Sequence, residues 1–143
     1  MPRDSYAEAT WQGSLLEGSG TIESVGSGAF GPLQVTWASR AEGTGGGTTP
    51  EELIAAAHAS CFSMALSNVL AKAGTPPETL SVSARVSFVG GTGITASALE
   101  VKGVVPGLDE DGFRAAAADA IENCPVSQAL KGNVELSVAS RLE

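Results

Sequence analysis

"TTPEELIAAAHASCFSMALS", residues 48–67, decides how this chain is read. Thr49 fits an N-cap, Pro50 a first helical residue with no donor to satisfy, and Glu52 the acid of a capping box. Beyond Glu52 no charge occurs until Lys72, and Gly74, Pro76 and Pro77 close the segment, so a helix is expected over residues 50–73. Its uncharged run, Leu53 to Ala71, approaches the roughly 20 residues of a membrane span. Ala and Ser dominate that run, His58 and Asn68 interrupt it, and beyond the single Lys72 no basic or aromatic anchors flank it. A membrane span is therefore rejected. A helix apolar on most faces is enclosed by protein, with a sheet on one side and a second copy of the helix on another.

The chain has 143 residues and no internal repeat or dividing linker, so a single domain over residues 1–143 is expected. Eight basic against sixteen acidic side chains give a net charge of −8. That balance, with Lys and Arg scattered, argues against nucleic acid and anionic lipid surfaces as partners. The opening "MPRDSYAEATW" has neither an apolar core nor a cleavage pattern, so a cytoplasmic location is expected. In that compartment the two cysteines read as free thiols or a redox pair rather than a staple.

Strand patterns lie on both sides of the helix. "TWQGSL" and "GTIESV" are short and bounded by Gly and Ser, and "LQVTWAS" alternates Leu33, Val35 and Trp37 with polar or small residues. A Gly-rich loop follows from Arg40 to Pro50, without the Gly-Lys-Ser/Thr of a phosphate cradle. After the helix, "LSVSARVSF" places Leu80, Val82, Ala84, Val86 and Phe88 on one face, and "SALEVKGVV" reads as its antiparallel partner with Glu100 and Lys102 facing water. A second helix over residues 109–123 stops at Cys124-Pro125, a short helical turn runs to Leu130, and "VELSVAS" closes the chain as a strand. Three strands, a helix, two strands, a helix and a strand make an α+β pattern without parallel-sheet rhythm.

Cys61 lies about 16 Å into the central helix at 1.5 Å per residue, too deep to gain from the helix dipole. Apolar surroundings alone would raise its pKa, so reactivity requires a cation from elsewhere in the structure. His58 precedes it by three residues and could serve a Cys-His nucleophile, but no third orienting group or oxyanion loop is apparent, and it reads as a packing residue. One His and two distant Cys do not make a metal site. Cys124, where a helix ends and Pro125 restarts one, fits an N-cap-like position with freedom to move, which suits a resolving thiol. The residues alone leave two readings open: small buried hydrophobes, or a dithiol redox site.

"TTPEELIAAAHASCFSMALS" together with "ENCPVSQALK" resembles the OsmC/Ohr family of thiol peroxidases, in its osmotically inducible (OsmC) branch. "ATWQGSLLEGSGTI", "SRAEG" and "GVVPGLDEDGF" extend the likeness over most of the chain. The resemblance implies an intertwined homodimer with antiparallel sheets wrapped around paired central helices. It implies reduction of organic hydroperoxides by a peroxidatic cysteine, matched by Cys61, and resolution as an intramolecular disulfide by a second, matched by Cys124. Arg40 matches the arginine that ends the strand before the Gly-rich loop, and Glu51 the first acid after the helix proline. Thr49 stands where Asn is usual, and the loop is about one residue longer.

Under that resemblance Arg40 holds Cys61 as a thiolate and polarises the peroxide, while Glu51 fixes the guanidinium. Cys61 becomes a sulfenic acid, Cys124 condenses with it, and an external dithiol reductant resets the pair, with no metal or other cofactor. Glu51 and Cys61 lie about 15 Å apart along one helix, so a site containing both needs two helices running against each other. Cys61 and Cys124 would come from one chain, and Glu51 with Arg40 from the other. Phe30, Phe62 and Met64 are expected to line an apolar substrate pocket. The alternatives are a non-catalytic redox sensor or small-molecule-binding module using the same dimer-interface pocket, and a thiol hydrolase built on Cys61 and His58.

Overall fold

The structure is a computed structural model describing every residue from Met1 to Glu143. Its elements are β1 (Ala7–Gln12), β2 (Ser19–Val25), β3 (Leu33–Val35), α1 (Trp37–Glu42), α2 (Pro50–Lys72), β4 (Thr79–Val89), β5 (Gly93–Val104), α3 (Glu110–Asn123), α4 (Pro125–Leu130) and β6 (Glu135–Leu142). They fall into two compact units, Met1–Pro50 and Glu51–Glu143.

The first unit is an antiparallel meander in the order β1-β2-β3. The third strand is shorter than its alternating sequence implies. It pairs with β2 only through Leu33, Gln34 and Val35. Thr36 is extended but uses its Oγ1 to accept from the Ser39 N–H at 3.1 Å, which caps α1 and turns the chain into a helix. Arg40 consequently sits half-buried in the last turn of α1, not at the end of a strand. Thr48 N–H then donates to the Gln34 carbonyl at 2.9 Å, and the Ser39 hydroxyl donates to the Gly46 carbonyl, so the Gly-rich loop folds back on β3. Gly47 makes that return possible, because its φ is +80° and a Cβ there would strike the Gln34 carbonyl.

The second unit is built on α2. Its C-terminus is a Schellman motif: Thr75 N–H donates to the Leu70 carbonyl at 2.9 Å and Gly74 N–H to Ala71 at 3.0 Å, with Gly74 at φ +87°. The sheet order is β4-β5-β6. β4 and β5 form a long antiparallel ladder from Thr79↔Val104 to Val89↔Gly93, with an irregularity at Ser87/Phe88. β6 runs parallel to β5, from Ala96↔Glu135 to Gly103↔Leu142. This departs from the expected antiparallel sheets. α3 and α4 form the crossover that returns the chain to the start of β5, and such a connection delivers the next strand parallel. Alternation reveals which face of a strand is buried, not the direction of its neighbour.

Every fourth position of α2 from His58 to Leu70 is buried, and Phe62, Leu66 and Leu70 pack with Leu99 and Val101 of β5 and Phe113, Ala117 and Ala120 of α3. Ser97, Leu99, Val101 and Gly103 point into this core, whereas Glu100 and Lys102 are exposed. Asp109 caps α3 by accepting from Gly112 N–H at 2.8 Å, one residue before the helix proper. The buried apolar side chains all belong to this second unit.

Candidate active site

Cys61 and Cys124 are both free thiols, the first half-buried on α2 and the second fully buried at the α3–α4 junction. Cys124 closes α3 by donating its N–H to the Ala120 carbonyl at 2.9 Å, and it is also the N-cap residue of α4. Pro125 at the start of α4 requires the preceding residue to be extended, and Cys124 has φ −71° and ψ 120°. That bend aims the sulfur inward rather than along a helix. The two thiols are close enough for each to influence the other's proton.

Their protons are unequally held. Burial pushes the Cys61 thiol up, and the adjoining Cys124 adds to this, against the opposing Val126 N–H. Burial also opposes ionisation of Cys124, but the Ser127 N–H and hydroxyl, the Cys61 thiol and the Val126 N–H together hold it below the usual thiol range. An ionised Cys61 requires a further positive group.

Glu51 is buried in the first turn of α2, at the positive end of the helix dipole. Because α2 is unbroken from Pro50 to Lys72, Glu51 and Cys61 remain about 15 Å apart along its axis. Arg40 belongs to the first unit, in α1 between the Thr36 cap and the Gly43 C-cap. Phe62 does not line a pocket, because it is completely buried in the core. Met64 is 71% exposed and lines a groove with Ser67, Pro77 and Leu80, while Phe30 lines a separate cavity with Tyr6 and Val25 in the first unit. No group of three or more His, Cys, Asp or Glu side chains forms a metal centre.

His58 is the residue that sequence reasoning underrated. It is completely buried, with Nδ1 2.6 Å from the Ser97 hydroxyl of β5 and Nε2 2.8 Å from the Ser127 hydroxyl of α4. Burial lowers its pKa, so the ring is held neutral. Both nitrogens are occupied by serines, so neither serves Cys61 as a base. A signal was present: Ser97 is a polar residue in phase with Leu99 and Val101 on the buried face of β5.

The fold and site define a small α+β protein built around a pair of neighbouring free thiols. Residues 43–139 match the OsmC-like protein family. The chain is 42% identical over 132 residues to the peroxiredoxin OsmC of Escherichia coli strain K12, across 90% of this chain and 91% of that protein. It is 36% identical over 102 residues to the organic hydroperoxide resistance protein of Xanthomonas axonopodis pv. citri, across 67% and 69% of the two chains. Among solved structures, the organic hydroperoxide resistance protein OhrB of Bacillus subtilis superposes with a TM-score of 0.73 at 26% identity, covering 96% of this chain and 98% of that one. An organic hydroperoxide resistance protein OsmC from Legionella pneumophila gives 0.70 at 27% identity, covering 96% and 97%. This chain belongs to the OsmC-like family.

Proposed function

We propose that this protein is a thiol-dependent peroxidase that reduces organic hydroperoxides to alcohols. The observation that carries the reading is a pair of neighbouring free thiols, half-buried Cys61 and buried Cys124, in a chain 42% identical to a peroxiredoxin. A thiolate at Cys61 attacks the terminal peroxide oxygen, the O–O bond breaks, and the alkoxide leaves and takes a proton to become the alcohol. Cys61 is then a sulfenic acid. Cys124 attacks that sulfur, water leaves, and a disulfide forms between them. A dithiol substrate reduces the disulfide and is itself oxidised to a cyclic disulfide. In the reducing cytoplasm both thiols stay free between turnovers.

Arg40 is proposed as the cation that ionises Cys61, with Glu51 as its carboxylate anchor. The support is the resemblance of "SRAEG" and "TTPEEL" to the family motifs and the raised pKa of Cys61, which calls for such a cation. The working form is a homodimer with residues 1–143 of each chain acting as one functional domain. Two features support it. α2 is long and apolar enough to span a membrane, yet one face is packed into a core and only 22% of its apolar window is buried in a single chain. The first unit carries Tyr6, Trp11, Leu15, Leu16 and Phe30 exposed and has no buried apolar side chain of its own.

The deciding experiment is steady-state turnover of cumene hydroperoxide and of hydrogen peroxide, each supplied with a dithiol or a monothiol. Preference for cumene hydroperoxide with the dithiol is expected. Binding without turnover would replace the peroxidase by a redox sensor or a small-molecule-binding module.

A further inference from the structure

The interior of the second unit contains a polar chain that its packing does not require. His58, Ser97 and Ser127 are at most 2% exposed, and an apolar side chain could fill the same space without three polar groups to satisfy. All three are satisfied by one another, since no buried side-chain nitrogen or oxygen lacks a partner. They come from three elements, β5, α2 and α4, so the chain Ser97–His58–Ser127 ties the sheet to the start of α4. Ser127 stands three residues after Cys124 on the first turn of α4, and both side chains are buried there.

The geometry points to His58 as a positioning residue for Cys124, acting through the hydroxyl hydrogen of Ser127. This rests on the peroxidase reading and assigns the residues that prepare its resolving step. A serine hydroxyl has one hydrogen to give. If Nε2–H of His58 donates to Ser127 Oγ, the serine's own hydroxyl hydrogen is left free of the ring to turn toward the neighbouring Cys124 sulfur, where it would stabilise a thiolate. Nδ1 then accepts from the Ser97 hydroxyl. In the other tautomer Nε2 would take the Ser127 hydrogen, and Ser127 Oγ could only accept from a Cys124 thiol. The Nε2–H tautomer is thus the one that offers Cys124 as a nucleophile. Because the ring stays neutral, it acts by fixed orientation and not as a base. The titratable groups acting on Cys124 are Cys61 and, through Ser127, His58, both on α2; β5 contributes Ser97, α3 contributes the apolar Phe113, Ala116, Ala117, Ala120 and Ile121, and the charged Glu122 and Lys131, paired with each other, line the cavity beside Ser127.

The test titrates Cys124 by ultraviolet thiolate absorbance in Cys61→Ser protein, so it does not depend on turnover. Adding Ser127→Ala should raise the Cys124 midpoint by about one pH unit, a tenfold loss of thiolate at lower pH. His58→Leu should produce the same rise, whereas His58→Gln, whose amide nitrogen can donate from near the Nε2 position, should restore much of the original midpoint. In otherwise wild-type protein, Ser127→Ala should slow disulfide formation after one equivalent of hydroperoxide without slowing sulfenic acid formation. Should His58→Leu fail to fold, Ser127→Ala and Ser127→Thr carry the test, the threonine retaining the hydroxyl and the low midpoint. An unchanged midpoint in Ser127→Ala would overturn the proposal, because a purely structural role lowers stability without moving it. Shifted midpoints in a protein that turns over no hydroperoxide would leave the positioning role standing and remove the peroxidase.

Discussion

The Cys61 thiol at mid-helix on α2 and the Cys124 thiol at the joint of α3 and α4 are neighbours whose surroundings act in opposite directions: burial pushes Cys61 up, while the groups at the start of α4 pull Cys124 down against its burial. For the proposed peroxidatic role of Cys61, that balance leaves a cation to be supplied.

Removing each sulfur separates the two steps. Cys61→Ser should abolish hydroperoxide reduction, because a hydroxyl at neutral pH is no comparable nucleophile. Cys124→Ser should leave single-turnover sulfenic acid formation intact and block the disulfide, with Cys61 trapped as sulfenic acid or a mixed disulfide. Mass spectrometry after one equivalent of cumene hydroperoxide distinguishes them. Equal loss of the first step in both variants would reverse or dissolve the assignment.

The neutral, buried His58 has a consequence for stability. Its folded pKa lies below the ordinary value of 6.5, so the unfolded chain takes up a proton that the native state refuses. His58 thus makes no pH-dependent difference above about pH 6.5, and the native state loses stability as pH falls below it, at up to about 1.4 kcal/mol per pH unit until the folded pKa is reached. Urea midpoints measured from pH 7 down to pH 5 should fall less steeply in His58→Gln than in wild type. Parallel curves would show that His58 is not held neutral.

Much of this fold is legible in the sequence because local chemistry dictates it. Thr49, Pro50 and Gly74 bound α2 within a residue, and the alternation from Leu80 to Phe88 gives the half-buried face of β4. α1 was hidden because Thr36 can continue a strand or cap a helix, and the sequence around Trp37 permits both. The direction of β6 was hidden because strand pairing is a tertiary choice. The Cys61–Cys124 encounter came only with the family resemblance, since no spacing rule joins residues so far apart. The serines around His58 look like ordinary polar interruptions until the helix and sheet are stacked.

Burial within one chain makes Leu66 and Met64 opposites although both lie on α2. Leu66 is completely buried against β5 and α3, so Leu66→Ala should cost about 3 kcal/mol in chemical denaturation. Met64 is 71% exposed on the uncharged face of α2, where a polar change should cost a lone chain little. If that face joins two copies, Met64→Asp should convert dimer to monomer at micromolar concentration, read by light scattering. A Met64→Asp protein that dimerises like wild type would remove α2 from the interface.

The activation of Cys61 supplies the most demanding prediction. Burial and the neighbouring Cys124 both raise its pKa, and the Val126 N–H opposes them without prevailing. A cation must reverse that balance, and Arg40 is the proposed one. It sits in α1 beside a loop whose Gly43, Gly45, Gly46 and Gly47 all have positive φ, so the segment after it has wide conformational latitude. On the Cys124→Ser background, Arg40→Ala should shift the pH midpoint of Cys61 alkylation upward by one unit or more, roughly a tenfold loss of thiolate. Arg40→Lys should fall between the two, since it retains the charge but not the planar fork that a carboxylate such as Glu51 can grip. Glu51→Gln should resemble Arg40→Lys, because it releases the guanidinium without removing it. If the alkylation midpoint of Arg40→Ala matches that of its parent, Arg40 is not the activating group, and Arg3, Arg85, Arg114 and Arg141 become the candidates to be changed in turn.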